Sequence, residues 1–277
     1  MSEDHVSDGA VLRLRDAAIG FGARTLWSGL DLDVAAGEFI AVLGANGAGK
    51  TTLIKAILGL HRLASGHLEV CGSPPHRGSD LIGYIPQERR LAPPAPVRSR
   101  ELVGLGIDGQ RFGPGWPRRG WSGRDRFGRD RRRRVDAVLR AVGAQALADV
   151  PVHLLSGGEQ QRVRIAQALA TDPRLLLCDE PLLSLDLNHQ RAVVELIDQR
   201  RHASGTAVLF VTHEINPVLP YVDRVLYLAD GGFRVGTVED VLTSTSLSAL
   251  YGSRVEVIRT EGRILVAGMP EPSEATT

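Results

Sequence analysis

Gly44-Ala45-Asn46-Gly47-Ala48-Gly49-Lys50-Thr51-Thr52 follows the apolar run at residues 39–43 and fits the phosphate-binding pattern G-x-x-x-x-G-K-[ST]. A buried strand that runs through a glycine turn into a helix points backbone N–H groups and the positive helix end at one spot, where a triphosphate can sit. We expect Lys50 to pair with the β- and γ-phosphates and Thr51 to ligate Mg²⁺. The alternative is an ordinary glycine turn that begins a helix.

The basic residues of the chain are almost all arginines. Of the 33 lysines and arginines, only Lys50 and Lys55 are lysines. A lysine in the phosphate loop is therefore unusual for this composition, and the planar fork of arginine is no equivalent replacement for a flexible point charge. This bias supports a specific role for Lys50.

Length and apolar content indicate a globular protein. The 277 residues are 43% apolar, enough for one large domain or two small ones. No apolar stretch reaches the roughly 18 residues of a membrane span, and the polar start lacks a signal-peptide hydrophobic region, so we expect a cytosolic protein. Cys71 and Cys178 are too few for a disulfide framework or a zinc site, and both are interpreted as small core residues.

Alternating apolar and polar residues flank a candidate base-binding position. Residues 12–15 and 30–34 alternate as strands with one wet face do, which predicts an antiparallel flap. Phe21 lies between them and could stack on a nucleotide base or pack in the core. After the phosphate loop, residues 50–60 are predicted to form a helix with Leu60 on its apolar face.

A basic segment follows the proline-rich boundary at residues 91–96. Residues 111–134 hold ten arginines against two aspartates, so the rest of the chain sums to −7. Helices are predicted at residues 98–104 and 131–142, with the arginine run between them. The run is interleaved with Phe112, Trp116, Trp121 and Phe127. A solvated loop is the leading interpretation, ahead of contact with a protein partner or anionic lipid headgroups, and nucleic acid comes last.

The stretch Leu155-Ser156-Gly157-Gly158-Glu159-Gln160-Gln161 predicts a helix that begins with a capping box. Ser156 and Glu159 stand three residues apart, as that motif requires. Glycine costs a helix about 1 kcal/mol relative to alanine. Gly157 and Gly158 are therefore expected where something approaches the backbone closely, and an anion is the obvious candidate at a helix N-terminus.

Polar residues also follow the other predicted strands. Residues 175–181, LLLCDEP, read as a short apolar strand that ends in two carboxylates, which are costly there unless a cation balances them. We expect Asp179 to hold Mg²⁺ and Glu180 to polarise the attacking water. Gln87 leaves another strand end towards the Mg²⁺ or its water. His213 lies just beyond a strand, where open parallel sheets bind ligands, and is interpreted as functional rather than as an ordinary polar residue.

In this order the motifs resemble the ATP-binding subunit of an ABC transporter, over nearly the whole chain. They are GANGAGKTT (44–52), Gln87, LSGGEQQR (155–162), LLLCDEP (175–181), Ser184-Leu185-Asp186 and His213. The resemblance implies an α/β fold with a P-loop NTPase (RecA-like) core, an antiparallel β flap and a mostly helical subdomain. It implies an ATPase domain at residues 11–268, between disordered ends at residues 1–10 and 269–277. Within it, the helical subdomain covers about 91–160 and a C-terminal hairpin about 253–267.

The resemblance also implies the cofactors ATP and Mg²⁺. Its catalytic set is Lys50, Gln87, Glu180 and His213, and its Mg²⁺ set is Thr51, Gln87 and Asp179. The residues implied to contact nucleotide are Phe21, Gly44, Asn46, Gly47, Gly49, Lys50, Thr51, Thr52, Ser156, Gly157, Gly158, Glu159 and Asp186. Two copies, expected to be identical, pair head to tail, so that Ser156–Glu159 of one copy closes over the ATP of the other.

Partners and cargo follow from the same resemblance. Residues 212–217 and 238–252, with the hairpin, look most like subunits for import of zinc, manganese or iron, and siderophore or cobalamin uptake is the near neighbour. The implied partners are an integral membrane permease, at the inner face of the cell membrane, and indirectly an extracytoplasmic substrate-binding protein. A soluble ABC-type ATPase acting on nucleic acid has only the arginine run in its favour. A non-catalytic nucleotide-binding scaffold is disfavoured because the catalytic residues are present.

Overall fold

In the computed structural model, residues 9–22, 24–87, 97–108, 124–183, 185–229 and 231–268 are described, with the backbone alone for residue 21 and residues 124–128. The strands are β1 (Ala10–Phe21), β2 (Arg24–Ala35), β3 (Phe39–Gly44), β4 (Ser65–Val70), β5 (Ile82–Ile85), β6 (Leu175–Asp179), β7 (Ala207–Val211), β8 (Arg224–Ala229), β9 (Gly232–Gly236), β10 (Glu256–Thr260) and β11 (Arg263–Ala267). The helices are α1 (Lys50–Ile57), α2 (Ser99–Asp108), α3 (Arg124–Ala141), α4 (Gly157–Leu169), α5 (Leu187–Ser204), α6 (Val238–Val241) and α7 (Ser244–Tyr251). Short 3₁₀ helices occupy Gln145–Leu147, Val152–Leu154 and Leu219–Tyr221.

A mixed sheet with the order β5-β6-β7-β3-β8-β9 forms the centre of the described structure. Its pairings are parallel except that of β8 with β9. The strands β6 and β7 are buried along their whole length, as expected for parallel strands covered on both faces. Along β3, side chains alternate between two hydrophobic cores. Phe39 and Ala41 pack into the core that helices α2 to α5 cover. Ile40 and Val42 pack into the core that α1 and the flap cover.

The predicted antiparallel flap is confirmed. The strand β1 pairs with β2 along most of its length, and Leu12, Leu14 and Leu30 are fully buried while Arg13 and Asp33 form a cross-strand ion pair. The strand β4 pairs with the other edge of β1, so the flap has three strands. The C-terminal hairpin of β10 and β11 is also confirmed.

The helix predicted at residues 131–142 begins seven residues earlier, at Arg124. Residues 124–130 of the arginine run are therefore helical as well, and the interpretation of these residues as part of a loop is wrong. The run contains no apolar repeat, but arginine is a good helix former. Packing then holds the helix in place, because Val135 and Leu139 are buried and Arg131 donates to Asp108 over 2.8 Å.

Two smaller predictions are also wrong. The helix α1 ends at Ile57, because Gly59 turns the chain at a φ of 70°, and Leu60 is 49% exposed instead of packing. Cys71 is exposed rather than in the core, since it sits in a turn after β4 with a φ of 49°, whereas Cys178 is buried as predicted.

Several predictions fall on residues that the structure does not describe. They are the disorder predicted for residues 1–8 and 269–277, the predictions for residues 111–123 of the arginine run with its first three aromatic residues, those for the side chains of Phe21 and Phe127, and that for Ser184. None of the helices described is long and apolar enough to span a bilayer.

Candidate active site

The phosphate loop joins the end of β3 to α1 and needs glycine at two positions. Gly44 has a φ of 137°, and a Cβ there would lie 2.0 Å from the carbonyl oxygen of Leu228. Gly49 has a φ of 94°, and its Cβ would lie 2.9 Å from the indole Nε1 of Trp27. As the N-cap of α1, Gly49 supplies no side-chain hydrogen bond, and the first turn carries no acidic residue. The first N–H groups and the positive end of α1 therefore suit an anion.

Lys50 is held over this loop by its own backbone. Its side-chain Nζ donates to the carbonyl oxygens of Gly44 over 2.6 Å and Ala45 over 2.9 Å, and the residue is only 7% exposed. Burial lowers the pKa of Lys50 below its ordinary value, and the nearby carboxylates of Glu180 and Asp179 oppose that shift. The arrangement holds a positive charge at the place where the phosphates of a nucleotide would collect.

Thr51 and Asp179 meet at the ends of neighbouring elements. The hydroxyl of Thr51 donates to Asp179 Oδ1 over 3.5 Å, and the hydroxyl of Tyr84, on β5, donates to Oδ2 over 3.5 Å. Asp179 is only 3% exposed. Burial and the neighbouring Glu180 raise the pKa of Asp179, while the two hydroxyl donors and Lys50 act in the opposite direction.

This donor set fits Mg²⁺. Mg²⁺ prefers oxygen ligands and is usually bound through one or two carboxylates together with substrate phosphates and water. Thr51 and Asp179 supply a hydroxyl and a carboxylate side by side. The described residues include no group of three or more histidines, cysteines and acids that could hold a metal by themselves. Phosphate oxygens and water would therefore have to complete the coordination.

Two of the other catalytic candidates, Gln87 and His213, contact Glu180. Gln87 Nε2 donates to Glu180 Oε2 over 3.1 Å, and His213 Nδ1 lies 3.8 Å from the same oxygen. The backbone N–H of Glu180 donates to Val211 at the end of β7 over 3.0 Å, which holds the acid in a turn with a φ of 49°. A cavity of about 130 Å³, lined in part by Glu180, Thr212 and His213, leaves room for water beside the carboxylate.

The predicted capping box at the start of α4 is confirmed. Ser156 accepts a hydrogen bond from the Glu159 N–H, and Glu159 Oε2 accepts from the Ser156 N–H over 2.8 Å. The two glycines that follow differ. A Cβ at Gly157 would have no neighbour within 4 Å, but one at Gly158 would lie 2.3 Å from Cδ2 of His189. An approaching anion is thus not needed to explain Gly158, because a side chain of the same chain occupies the space.

The structure therefore brings together two groups of the predicted residues. In the first group, Thr51 contacts Asp179, and Gln87 and His213 contact the next residue, Glu180. Lys50 is close enough for both carboxylates to act on its pKa. Ser156–Glu159 and Asp186 form the second group, through His189. Sequence reasoning missed Tyr84 and His189. Two sequence signals could have found them. Tyr84 lies near the end of the strand that precedes Gln87, and His189 stands three residues after Asp186.

A family model described as "ABC transporter" matches residues 27–183, more than half of the chain. The chain belongs to the ABC transporter family. The zinc import ATP-binding protein ZnuC of Marinobacter nauticus is 33% identical over 245 residues, which cover 88% of this chain and 84% of that protein. The aliphatic sulfonates import ATP-binding protein SsuB 2 of Pseudomonas savastanoi pv. phaseolicola is 36% identical over 220 residues, which cover 79% of this chain and 71% of that protein.

Solved structures agree with this assignment. An inward-facing structure assigned to a metal-chelate type ABC transporter superposes with a TM-score of 0.74 and 26% identity, and it covers 93% of this chain and 96% of its own. The predicted α/β fold with a P-loop core is confirmed, and so is its interpretation as an ATP-hydrolysing subunit of this family. ATP is the nucleotide that the family binds. The place of each site residue in the reaction stays a prediction.

Proposed function

We propose that this ABC subunit hydrolyses ATP to energise import of a transition metal, with zinc, manganese and iron as the candidates. The observation that carries the hydrolytic part is the contact of Gln87 and His213 with one oxygen of Glu180, beside Lys50, Thr51 and Asp179. The assignment of the cargo rests on similarity to import proteins of known name. The zinc import relative aligns over 88% of the chain, further than the 79% of the sulfonate relative, which is slightly more identical.

The residues divide the work of hydrolysis between them. The N–H groups of the phosphate loop and the Lys50 ammonium hold the β- and γ-phosphates. Thr51, Asp179 and Gln87 would hold Mg²⁺, which draws negative charge from the phosphates when it is bound. Glu180 is the base that polarises the attacking water. Nδ1 of His213 lies 3.8 Å from Oε2 of Glu180, so His213 is close enough to orient that water or the γ-phosphate. Phe21 is the proposed adenine-stacking residue.

The second group of residues completes the site of another copy. In a head-to-tail homodimer, Ser156–Glu159 and Asp186 of one chain face the nucleotide held by the partner's phosphate loop. The open space at Gly157 and the positive end of α4 favour a phosphate there. ATP thus closes the dimer, hydrolysis reopens it, and the movement drives a permease. We place the subunit on the inner face of the cell membrane, with an extracytoplasmic substrate-binding protein as an indirect partner.

A second candidate cargo is a metal chelate. The structural similarity to a metal-chelate type transporter favours a siderophore or cobalamin over other organic solutes. Because import of a free ion and import of a chelate share the same ATPase chemistry, an uptake measurement in cells distinguishes the two cargoes.

Cellular metal content tests the proposal. Cells lacking the protein should hold less zinc, manganese or iron under limitation of that metal, and excess metal should restore growth. Complementation with the wild-type gene should restore the content, whereas Glu180→Gln should not, which ties the defect to hydrolysis. Unchanged content of all three metals, with a defect in uptake of an aliphatic sulfonate or another organic solute, would overturn the cargo assignment and leave the ATPase standing.

A further inference from the structure

Asp186 and His189 contact each other through both backbone and side-chain atoms at the start of α5. Asp186 is the N-cap, and its Oδ1 accepts from the backbone N–H groups of Asn188 and His189 over 3.0 Å each. Its other oxygen, Oδ2, lies 2.6 Å from Nδ1 of His189. Because an ionised carboxylate only accepts hydrogen bonds, Nδ1 carries the proton and donates it. Both oxygens of Asp186 therefore hold His189, one through its backbone and one through its ring.

The opposite edge of the same ring lies against α4. A Cβ at Gly158 would lie 2.3 Å from Cδ2 of His189 and 2.8 Å from Nε2. Gly158 is the second residue of α4 and is buried, whereas Gly157 before it is exposed with open space around its backbone. His189 thus fills a gap that only a glycine leaves, and it contacts the segment that carries Ser156 and Glu159.

We infer that His189 is a positioning residue that holds Asp186 and the N-terminus of α4 in one fixed arrangement, so that both reach the partner's nucleotide together. The inference rests on the proposed head-to-tail dimer, in which both segments face that nucleotide. Two segments that are already fixed relative to each other lose less conformational freedom when the dimer closes. His189 itself need not touch ATP.

The contact with Gly158 can be tested without any nucleotide. Alanine normally stabilises a helix relative to glycine, but Gly158→Ala would push a methyl group into the His189 ring. We expect Gly158→Ala to lower the melting temperature of the wild-type chain and to leave it unchanged or raise it in a His189→Ala background. The same effect in both backgrounds would show that the two residues are not coupled, and it would overturn the inference.

The positioning role is tested by ATP-dependent dimerisation in a Glu180→Gln parent, which should retain ATP. His189→Ala should raise the ATP concentration for half-maximal dimerisation about fivefold or more. His189→Asn keeps a donor near the Nδ1 position but is too short to reach Gly158, so its effect should be smaller. His202→Ala, which removes another exposed histidine of α5, is the matched control and should match the parent.

A second readout separates positioning from a loss of structure. Binding of a fluorescent ATP analogue to the single chain should be unchanged by His189→Ala, because the phosphate loop is untouched. If that affinity falls as much as dimerisation does, or if dimerisation is unchanged while the parent dimerises, the inference is wrong and the proposed function stands. If the parent itself stays monomeric with ATP, the proposed dimer fails and the inference fails with it.

Discussion

Gln87 Nε2 donates a hydrogen bond to Glu180 Oε2 over 3.1 Å and so links two residues that are 93 positions apart in the chain. The link exists because β5 and β6 are parallel neighbours whose carboxyl ends lie at the same edge of the sheet. Gln87 is also the last described residue before the segment that leads to α2 and α3. A displacement of Gln87 would therefore act directly on the carboxylate that is proposed as the catalytic base.

Removing this hydrogen bond should impair turnover more than binding. Gln87→Ala should lower kcat roughly 10- to 100-fold, because the carboxylate and the Mg²⁺ ligands lose their alignment. The KM for ATP should change little, since Lys50 and the phosphate loop are intact. Steady-state ATPase kinetics measure both constants, with Gln145→Ala as a control at an exposed glutamine. A raised KM with unchanged kcat would assign Gln87 to nucleotide binding.

Lys50 should determine nucleotide affinity. Lys50→Ala leaves the backbone loop in place but removes the charge on the β- and γ-phosphates, so ATP should bind about tenfold more weakly or worse. Lys50→Arg should also bind poorly, because the buried space at Gly44 and Ala45 holds a compact ammonium. Calorimetric titration with ATP and Mg²⁺ checks both variants. Wild-type affinity in Lys50→Ala would remove the residue from its role.

The ionised carboxylate of Asp179 should lower the stability of the folded chain at neutral pH when no nucleotide is bound. Its pKa is raised in the folded chain, so the folded state holds this proton more tightly than the unfolded state does. The associated stabilisation is full below the usual pKa of 3.8 and is lost as the pH rises through the raised value. Asp179→Asn should therefore raise the melting temperature at pH 7 and abolish the added stabilisation by Mg²⁺ and ATP. A lower melting temperature at pH 7 would contradict this account.

The exposed arginines of α3 should matter for attachment rather than for chemistry. Arg132, Arg133 and Arg134 are exposed, whereas Arg131 pairs with Asp108 and is left unchanged. Replacing the three by glutamine should leave basal ATPase activity intact and reduce binding to membranes that contain the permease.

A matched control keeps the change in net charge equal. Replacing the exposed Arg234, Arg254 and Arg263 by glutamine should leave membrane binding as it is. If the chain instead binds RNA tightly through α3, with an affinity that falls steeply with salt concentration, this would support the alternative of a soluble ABC-type ATPase that acts on nucleic acid.

The sequence predicted that the residues of the first group lie close together, because local patterns determine their positions. Lys50 and His213 follow apolar strands and Asp179 is the last residue of one, and the carboxyl ends of parallel strands meet. The contact of His189 with Gly158 depends instead on how α5 packs against α4, which no local pattern encodes. The start of α3 was missed for a related reason. Its first residues carry no apolar repeat, and Arg131 is held by a partner on another helix.

The measurement that tests the central claim most directly is ATP turnover by Glu180→Gln alongside the size of the particle. Only the charge that polarises the water is removed, so the variant should bind ATP and Mg²⁺, form a dimer that holds two ATP molecules, and produce almost no ADP. Wild-type chain under the same conditions should hydrolyse ATP and return to monomers. Normal hydrolysis by a monomeric Glu180→Gln would contradict both the assignment of the base and the head-to-tail site.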